Sequence, residues 1–295
     1  MANPSIIQGL GLKLRNINLG IGYDSSYLIL KMQNHKKDYN NYFIEPKQSF
    51  EFSGNDISHS VILGISQKIH LYSFSLIWGF SYHSANYYKI KGKIKSYEFF
   101  DYNNNQNIFE QKAYARINFP EFYRTGIQMI FNTFKIYFDI NYILWNSYFR
   151  NIKIYADLPF LTTPFNTKSN QVIIRQNWKN QLVYLFGIEK DLKSIILSFG
   201  YNYGKLPTPE EGFHPLLTLT IEHHLTIGLS KKFSLTTFYI SYEHGFKNKS
   251  EFELSRAKFI SDWFLFHAIK ESPSYFKYNR TMQLHSLIFG IESKI

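Results

Sequence analysis

The densest run of side chains able to ligate a metal is Glu222-His223-His224, since carboxylate oxygens and imidazole nitrogens are ordinary zinc ligands. Neighbours on an extended chain point to opposite faces. His223 and His224 therefore cannot share one ion, and no metal site is expected. Hydrolysis is the other chemistry to weigh, and it needs a hydroxyl nucleophile, an imidazole base and an orienting polar group in one cluster. His285 adjoins Ser286, but strand neighbours diverge and no nucleophile motif stands out. No catalytic residue is assigned and no enzyme activity is expected. Gly9, Gly11, Gly20 and Gly22 lie at alternate positions, as glycines on one strand face would, and not in a phosphate-cradling loop. With no cysteine in the chain, disulfides and thiolate metal sites are excluded, and no cofactor is implied.

These readings depend on strands, and alternation supplies them. From Tyr72 to Tyr82, the large residues Tyr72, Phe74, Leu76, Trp78, Phe80 and Tyr82 alternate with Ser73, Ser75, Gly79 and Ser81, the period of two that lines one strand face. Between Leu217 and Leu229, Leu219, Ile221, Leu225, Ile227 and Leu229 interleave with Thr218, Thr220, Glu222, His224, Thr226 and Gly228. In Ile136 to Leu144 an outward set of Ile136, Phe138, Ile140, Tyr142 and Leu144 leaves Asp139 and Asn141 pointing inward. Such runs reach about 9 to 13 residues, the span of a tilted membrane strand and beyond the usual five or six of a globular one. Further candidate strands recur over 17–23, 61–65, 182–188, 195–203, 235–242 and 284–295. The fold class expected is all-β, an antiparallel transmembrane β-barrel forming one domain over residues 1–295. Asp139, Asn141, Glu222 and His224 are its candidate lumen residues, with His223 near an interface.

Composition agrees. The 28 Phe and 23 Tyr against 4 Trp suit strands and bilayer interfaces. No run of about 20 apolar residues, the length a membrane helix needs, occurs. Net charge is +11, but the lysines are spread along the chain instead of gathered on one helix or patch. That favours anionic lipid headgroups over nucleic acid as the partner.

Link lengths give the direction of the barrel. Short links over 13–16, 67–70, 132–133, 190–193 and 230–232 alternate with long polar stretches over 33–58, 89–112, 151–179, 205–215 and 246–281. Short turns are periplasmic and long loops external in such barrels. Phe252 to Ile269 has apolar residues at helical spacing, so a short helix is expected inside the last long loop. Strands number about eleven, an odd count where both termini of bacterial barrels lie on the periplasmic side. No signal peptide starts at Met1. An amino-terminally truncated chain is the expectation.

With strands placed, the motif order resembles the outer-membrane long-chain fatty-acid and aromatic-hydrocarbon transporter family, the FadL and toluene-channel type. Carrying the resemblance are Asn3-Pro4-Ser5 with Ile17 to Tyr23, then Gly79 to Ser84 running on to Lys91-Gly92, then Ile117 to Glu121 and Ile140 to Ser147. Phe199 to Tyr203, Pro207 to Pro209 and Glu222 to Leu229 complete it. The resemblance spans the whole chain. It implies a fourteen-stranded type of barrel whose plugging hatch and early strands are missing here, with Ile295 replacing the usual terminal aromatic. It implies passive, energy-independent uptake of a hydrophobic small molecule by a monomer seated among outer-membrane lipid and lipopolysaccharide. Phe43, Phe50, Phe52, Phe99, Phe100, Phe160, Phe165, Phe259, Phe264 and Phe266 fall in the external stretches and are candidates for capture. The competing classes are a barrel lipid hydrolase and a structural or adhesion barrel.

Overall fold

A computed structural model of the chain describes residues 5–34, 49–99, 106–161, 168–208, 221–233, 235–255 and 275–293. The strands are β1 (Ser5–Leu14), β2 (Ile17–Asn34), β3 (Ser49–His70), β4 (Ser75–His83), β5 (Asn86–Phe99), β6 (Gln106–Phe119), β7 (Phe122–Ile130) and β8 (Phe134–Ile143). A single helical turn, α1 (Trp145–Tyr148), precedes β9 (Asn151–Leu161), β10 (Lys168–Arg175), β11 (Gln181–Leu192), β12 (Ile195–Gly204), β13 (His223–Lys232), β14 (Thr236–Ser255) and β15 (Tyr275–Ser293). All fifteen strands join one antiparallel sheet.

Register reduces the fifteen to eleven passes. β3 pairs with β4 over its last nine residues and with β5 over its first seven, so β4 and β5 are two halves of one pass, interrupted at Ser84-Ala85. β6 and β7 answer them, interrupted at Pro120-Glu121, where proline has no N–H to give a ladder. Asn86 opposite Phe119 and His83 opposite Phe122 keep one register through both breaks. Likewise β8 leads through α1 into β9, and β10 leads through residues 176–180 into β11. Every pass then lies beside its sequence neighbours, the up-and-down order and the count that alternation predicts. β1 and β15 each have one partner among the described residues, so the sheet is open there.

The outer face of the lower sheet is an apolar belt. Leu19, Ile21, Leu63, Phe80, Ile127, Phe138, Phe186, Phe199, Ile227, Ile240 and Phe289 are all exposed. Tyr82, Tyr123 and Tyr142 share one register row at its upper margin. The alternate positions carry Asn18, Ser66, Gly79, Gly126, Asp139, Asn202 and His224. Gly9 faces Gly22 and Gly11 faces Gly20, on that same inner side.

Several expectations need correction. The turn expected over 67–70 is displaced to Leu71–Phe74, so Tyr72 and Phe74 lie off the strand and Tyr72 is fully exposed. Ile221 and Glu222 precede β13, and residues 217–220 lie outside the described residues. Much of what reads as external loop is strand, because β2, β3, β5, β6, β9, β10, β14 and β15 continue past the belt. On β5 and β6 the outward positions out there carry Lys89, Lys91, Lys93, Lys95, Lys112 and Arg116, so the lipid-type alternation vanishes while the ladder persists. Phe252 to Ser255 end β14 and are not helical, and the rest of that expected helix falls outside the described residues, as does Ile295.

Outward and inward positions should respond differently to charge. Ile227→Arg, mid-strand on the belt, is expected to cost about 2 to 4 kcal/mol in denaturant unfolding from vesicles. Thr226→Arg, its inward neighbour, should cost clearly less, and equal costs would mean that the belt does not face hydrocarbon.

Candidate transport path

The inward face of the lower sheet is polar and pocketed. A concavity of about 460 Å³ is floored by Gly20, Gly64, Gly79 and Gly126 and rimmed by Asn18, Ser66, Arg124, Gln128, Tyr137 and Asp139. Gly126 makes room for the Asp139 carboxylate, since any side chain there would collide with it. The Arg124 Nε–H donates to Asn141 Oδ1 at 2.7 Å, and Asn141 is buried.

The four candidate lumen residues all lie on this face, in two adjacent rungs. Asp139, Leu185, Asn202 and His224 form one rung. Asn141, Val183 and Gly204 form the next, which Glu222 extends by accepting the Gly204 N–H at 3.0 Å. Asp139 and His224 are thus three strand spacings apart, about 14 Å, and the four do not make one site. Glu222 and His224 do share a smaller pocket, about 280 Å³, with Val183, Leu206 and Ile221. The Glu222 carboxylate accepts the Leu206 N–H at 2.9 Å, and His224 Nδ1 lies 2.8 Å from Glu243. His223 points the other way, exposed and stacked on Tyr203 at 4.8 Å. Arg124 and Glu243 were missed, although each sits at an inward alternate position of its own strand.

A second polar cluster joins three passes where β4 gives way to β5. The His83 Nε2 atom is 3.4 Å from both Asp24 Oδ2 and Ser60 Oγ, and Ser26 donates to that same carboxylate oxygen at 3.0 Å. His83 Nδ1 lies 3.0 Å from the Ser84 carbonyl, and Phe122 stacks on the ring at 4.8 Å. Asp24, Ser26 and Ser60 are buried. These residue types match a hydrolytic triad, but the geometry does not. A relay needs the carboxylate and the hydroxyl on opposite imidazole nitrogens; here both crowd one nitrogen while a backbone carbonyl holds the other. The cluster ties β2, β3 and β4 together across the break.

Above it the interior changes character. On β2, Asp24 and Ser26 are followed on the same face by Leu28 and Leu30, both buried, so the switch from polar to apolar takes about 7 Å. Leu28, Phe52, Ile90, Ala115 and Ile154 belong to one fully buried cluster. Trp178 closes it with Trp145 and Phe149, each ring centroid 4.7 Å from the indole. The Trp178 indole N–H has no partner among the described residues. Of the aromatics proposed for capture, Phe52 is wholly inside this cluster. Phe50, Phe99 and Phe160 lie in β3, β5 and β9, while Phe43, Phe100, Phe165, Phe259, Phe264 and Phe266 lie outside the described residues.

Residues 15–233 match the family model described as Outer membrane protein transport protein (OMPP1/FadL/TodX). The chain belongs to that family. Among solved structures it is similar to a Pseudomonas aeruginosa FadL homologue, with a TM-score of 0.68 and 14% identity over 98% of this chain and 66% of that one. It is similar to the P. putida toluene transporter TodX at TM-score 0.67 and 11% identity, covering 98% and 69%. The Ralstonia pickettii toluene transporter TbuX gives 0.61 and 10%, covering 98% and 68%. At these identities the likeness is one of fold, and the chain spans about two thirds of their length. No curated protein matches it.

As a member of the OMPP1/FadL/TodX family the chain is an outer-membrane β-barrel protein. Its exposed belt is lipid-facing, and the polar and apolar interiors lie in series from the short turns toward the far ends of the passes. Among the described residues no group of three or more His, Asp or Glu is arranged to hold a metal.

The Asp24–His83 pair should behave as one unit. Asp24→Asn and His83→Gln are each expected to cost about 1 to 3 kcal/mol by stranding a buried polar partner. The double variant should cost less than the two together, a coupling of about 0.5 kcal/mol or more in denaturant unfolding. Strict additivity would mean that the two groups do not interact.

Proposed function

We propose that this protein is an outer-membrane channel for passive uptake of hydrophobic small molecules. The observation that supports the reading most directly is the order of interiors along the passes. The outer section is apolar and closely packed, while the section within the membrane is polar. A dry, aromatic-lined outer section resists sugars and ions, which would lose hydration without gaining partners. An apolar solute loses nothing there, and buried apolar surface stabilises it by about 25 cal/mol per Å². Past that section the polar interior offers an apolar solute little, so it is released inward. No step needs energy input beyond the gradient.

The unpartnered Trp178 N–H adds a preference for solutes with a polar head. A long-chain fatty acid could set its carboxylate on this donor while its tail lies among Leu28, Phe52 and Ile90. A purely hydrocarbon solute would use the apolar part alone.

Reconstitution into liposomes tests both levels. Labelled oleate and toluene should enter faster than into protein-free vesicles, with no energy source, while arabinose entry stays at the protein-free rate. Sugar permeation matching that of oleate would point to a general pore. Absence of any uptake, with binding to a protein partner instead, would favour an adhesion barrel. Trp178→Phe should weaken oleate binding by about 10-fold or more, since a hydrogen bond to a charged group is worth about 1.5 to 3 kcal/mol, and leave toluene binding unchanged. Equal loss for both ligands would remove the indole from head recognition. Ester hydrolysis by the refolded protein, abolished in Ser60→Ala, would instead favour the lipid-hydrolase reading.

A further inference from the structure

We propose that the outer face of β5, β6 and β9 is a docking surface for the phosphorylated sugar core of lipopolysaccharide, whatever solute the channel carries. The lipid-facing belt ends at the row Tyr82, Tyr123 and Tyr142. Beyond the breaks at Ser84-Ala85 and Pro120-Glu121, the outward positions become Lys89, Lys91, Lys93 and Lys95 on β5 and Lys112 and Arg116 on β6. Lys153 on β9, opposite Arg116, carries the patch one strand further. Basic residues that are scattered along the sequence thereby meet on one outer face.

The register makes this arrangement costly when nothing covers it. Lys89 lies opposite Arg116 and Lys93 opposite Lys112, and like charges directly across an antiparallel pair destabilise it. Glu110 offsets part of that repulsion, bridging Lys93 and Lys95. Its hydrogen bond with Lys93, followed by that with Lys95, holds its carboxyl below the ordinary range. Lys91 and Lys112 form no ion pair among the described residues. An external polyanion would supply the missing counter-charge.

Two further features select the kind of anion. Tyr114 and Tyr155 stack at 4.9 Å, with Lys89 4.7 Å from the Tyr114 ring and Arg116 within 6 Å of both rings. The stacked phenols hold Lys89 and Arg116 over their faces, which fixes an ammonium and a guanidinium side by side and suits a phosphate carried on a sugar. The level also fits. Lys89 stands about seven residues beyond Tyr82, roughly 23 Å along the strand and about 17 Å along the membrane normal at a tilt near 40°. That height belongs to the sugar-phosphate layer above the acyl chains.

The test measures binding of labelled lipopolysaccharide to the refolded full chain in detergent, with EDTA present so that divalent cations cannot bridge. Lys91→Gln/Lys93→Gln/Lys112→Gln should weaken binding on the order of 100-fold, taking each lysine as roughly fivefold. Lys13→Gln/Lys68→Gln/Lys193→Gln, at the periplasmic turns, should leave it unchanged. Dephosphorylated lipopolysaccharide should bind the unmodified chain at least tenfold more weakly, and this comparison stands even if the triple variant fails to fold. Unchanged affinity in the folded patch variant, or equal binding of the dephosphorylated form, would overturn the proposal. So would tighter binding to phosphatidylglycerol vesicles or to duplex DNA, which would assign the patch to a different polyanion. Liposome uptake of oleate is read separately, so loss of lipopolysaccharide binding with transport intact leaves the channel reading standing.

Discussion

In hydrocarbon a backbone N–H or C=O has no water to turn to, so every strand that crosses the bilayer must be satisfied sideways by its neighbours. That constraint orders this molecule. Eleven passes run up and down, each paired with the passes next to it in sequence, and the ladder continues through breaks that change everything else about the strand. Pro120 and the Ser84-Ala85 interruption cost local hydrogen bonds, yet Asn86 and His83 still find Phe119 and Phe122 in one register. The backbone is conserved along each pass while the two faces are rewritten.

The rewriting happens at one level. Below the breaks, outward side chains are aliphatic and aromatic, while inward ones are mainly polar or glycine, with Val183 and Leu185 among them. Above them, on β5 and β6, lysines stand outside, while Leu28, Ile90, Ala115 and Ile154 of the upper passes are buried inside. A strand in lipid keeps its polar residues for the lumen, whereas one in water turns its apolar side to a core of its own. The Asp24, Ser60 and His83 cluster sits at this boundary, where polar groups withdrawn from solvent have only one another and nearby backbone for partners.

The same inversion links the two functional surfaces. On the proposed reading the apolar outer section screens solutes by hydration cost, and its exterior supplies cations to an anionic leaflet. Lipid contact, and the sugar-phosphate contact and solute passage proposed above, fall to different parts of one continuous sheet, divided by distance from the short turns and by side of the wall.

Alternation by itself determined the class of fold, the number of passes and their order, because a period of two marks each strand and the face that each side chain takes. The opposed directions of His223 and His224 were legible for the same reason. Parity is blind to where a strand stops facing lipid, so the extensions carrying Lys89 to Lys95 read as loops and Phe252 to Ser255 read as helix. It is equally blind to register between distant passes. Only the tertiary structure set Asp139 three strands from His224, brought Asp24, Ser60 and His83 within hydrogen-bonding range, and laid Lys93 against Lys112. Those neighbours are fixed by cross-strand pairing, a relation between segments that no local pattern encodes.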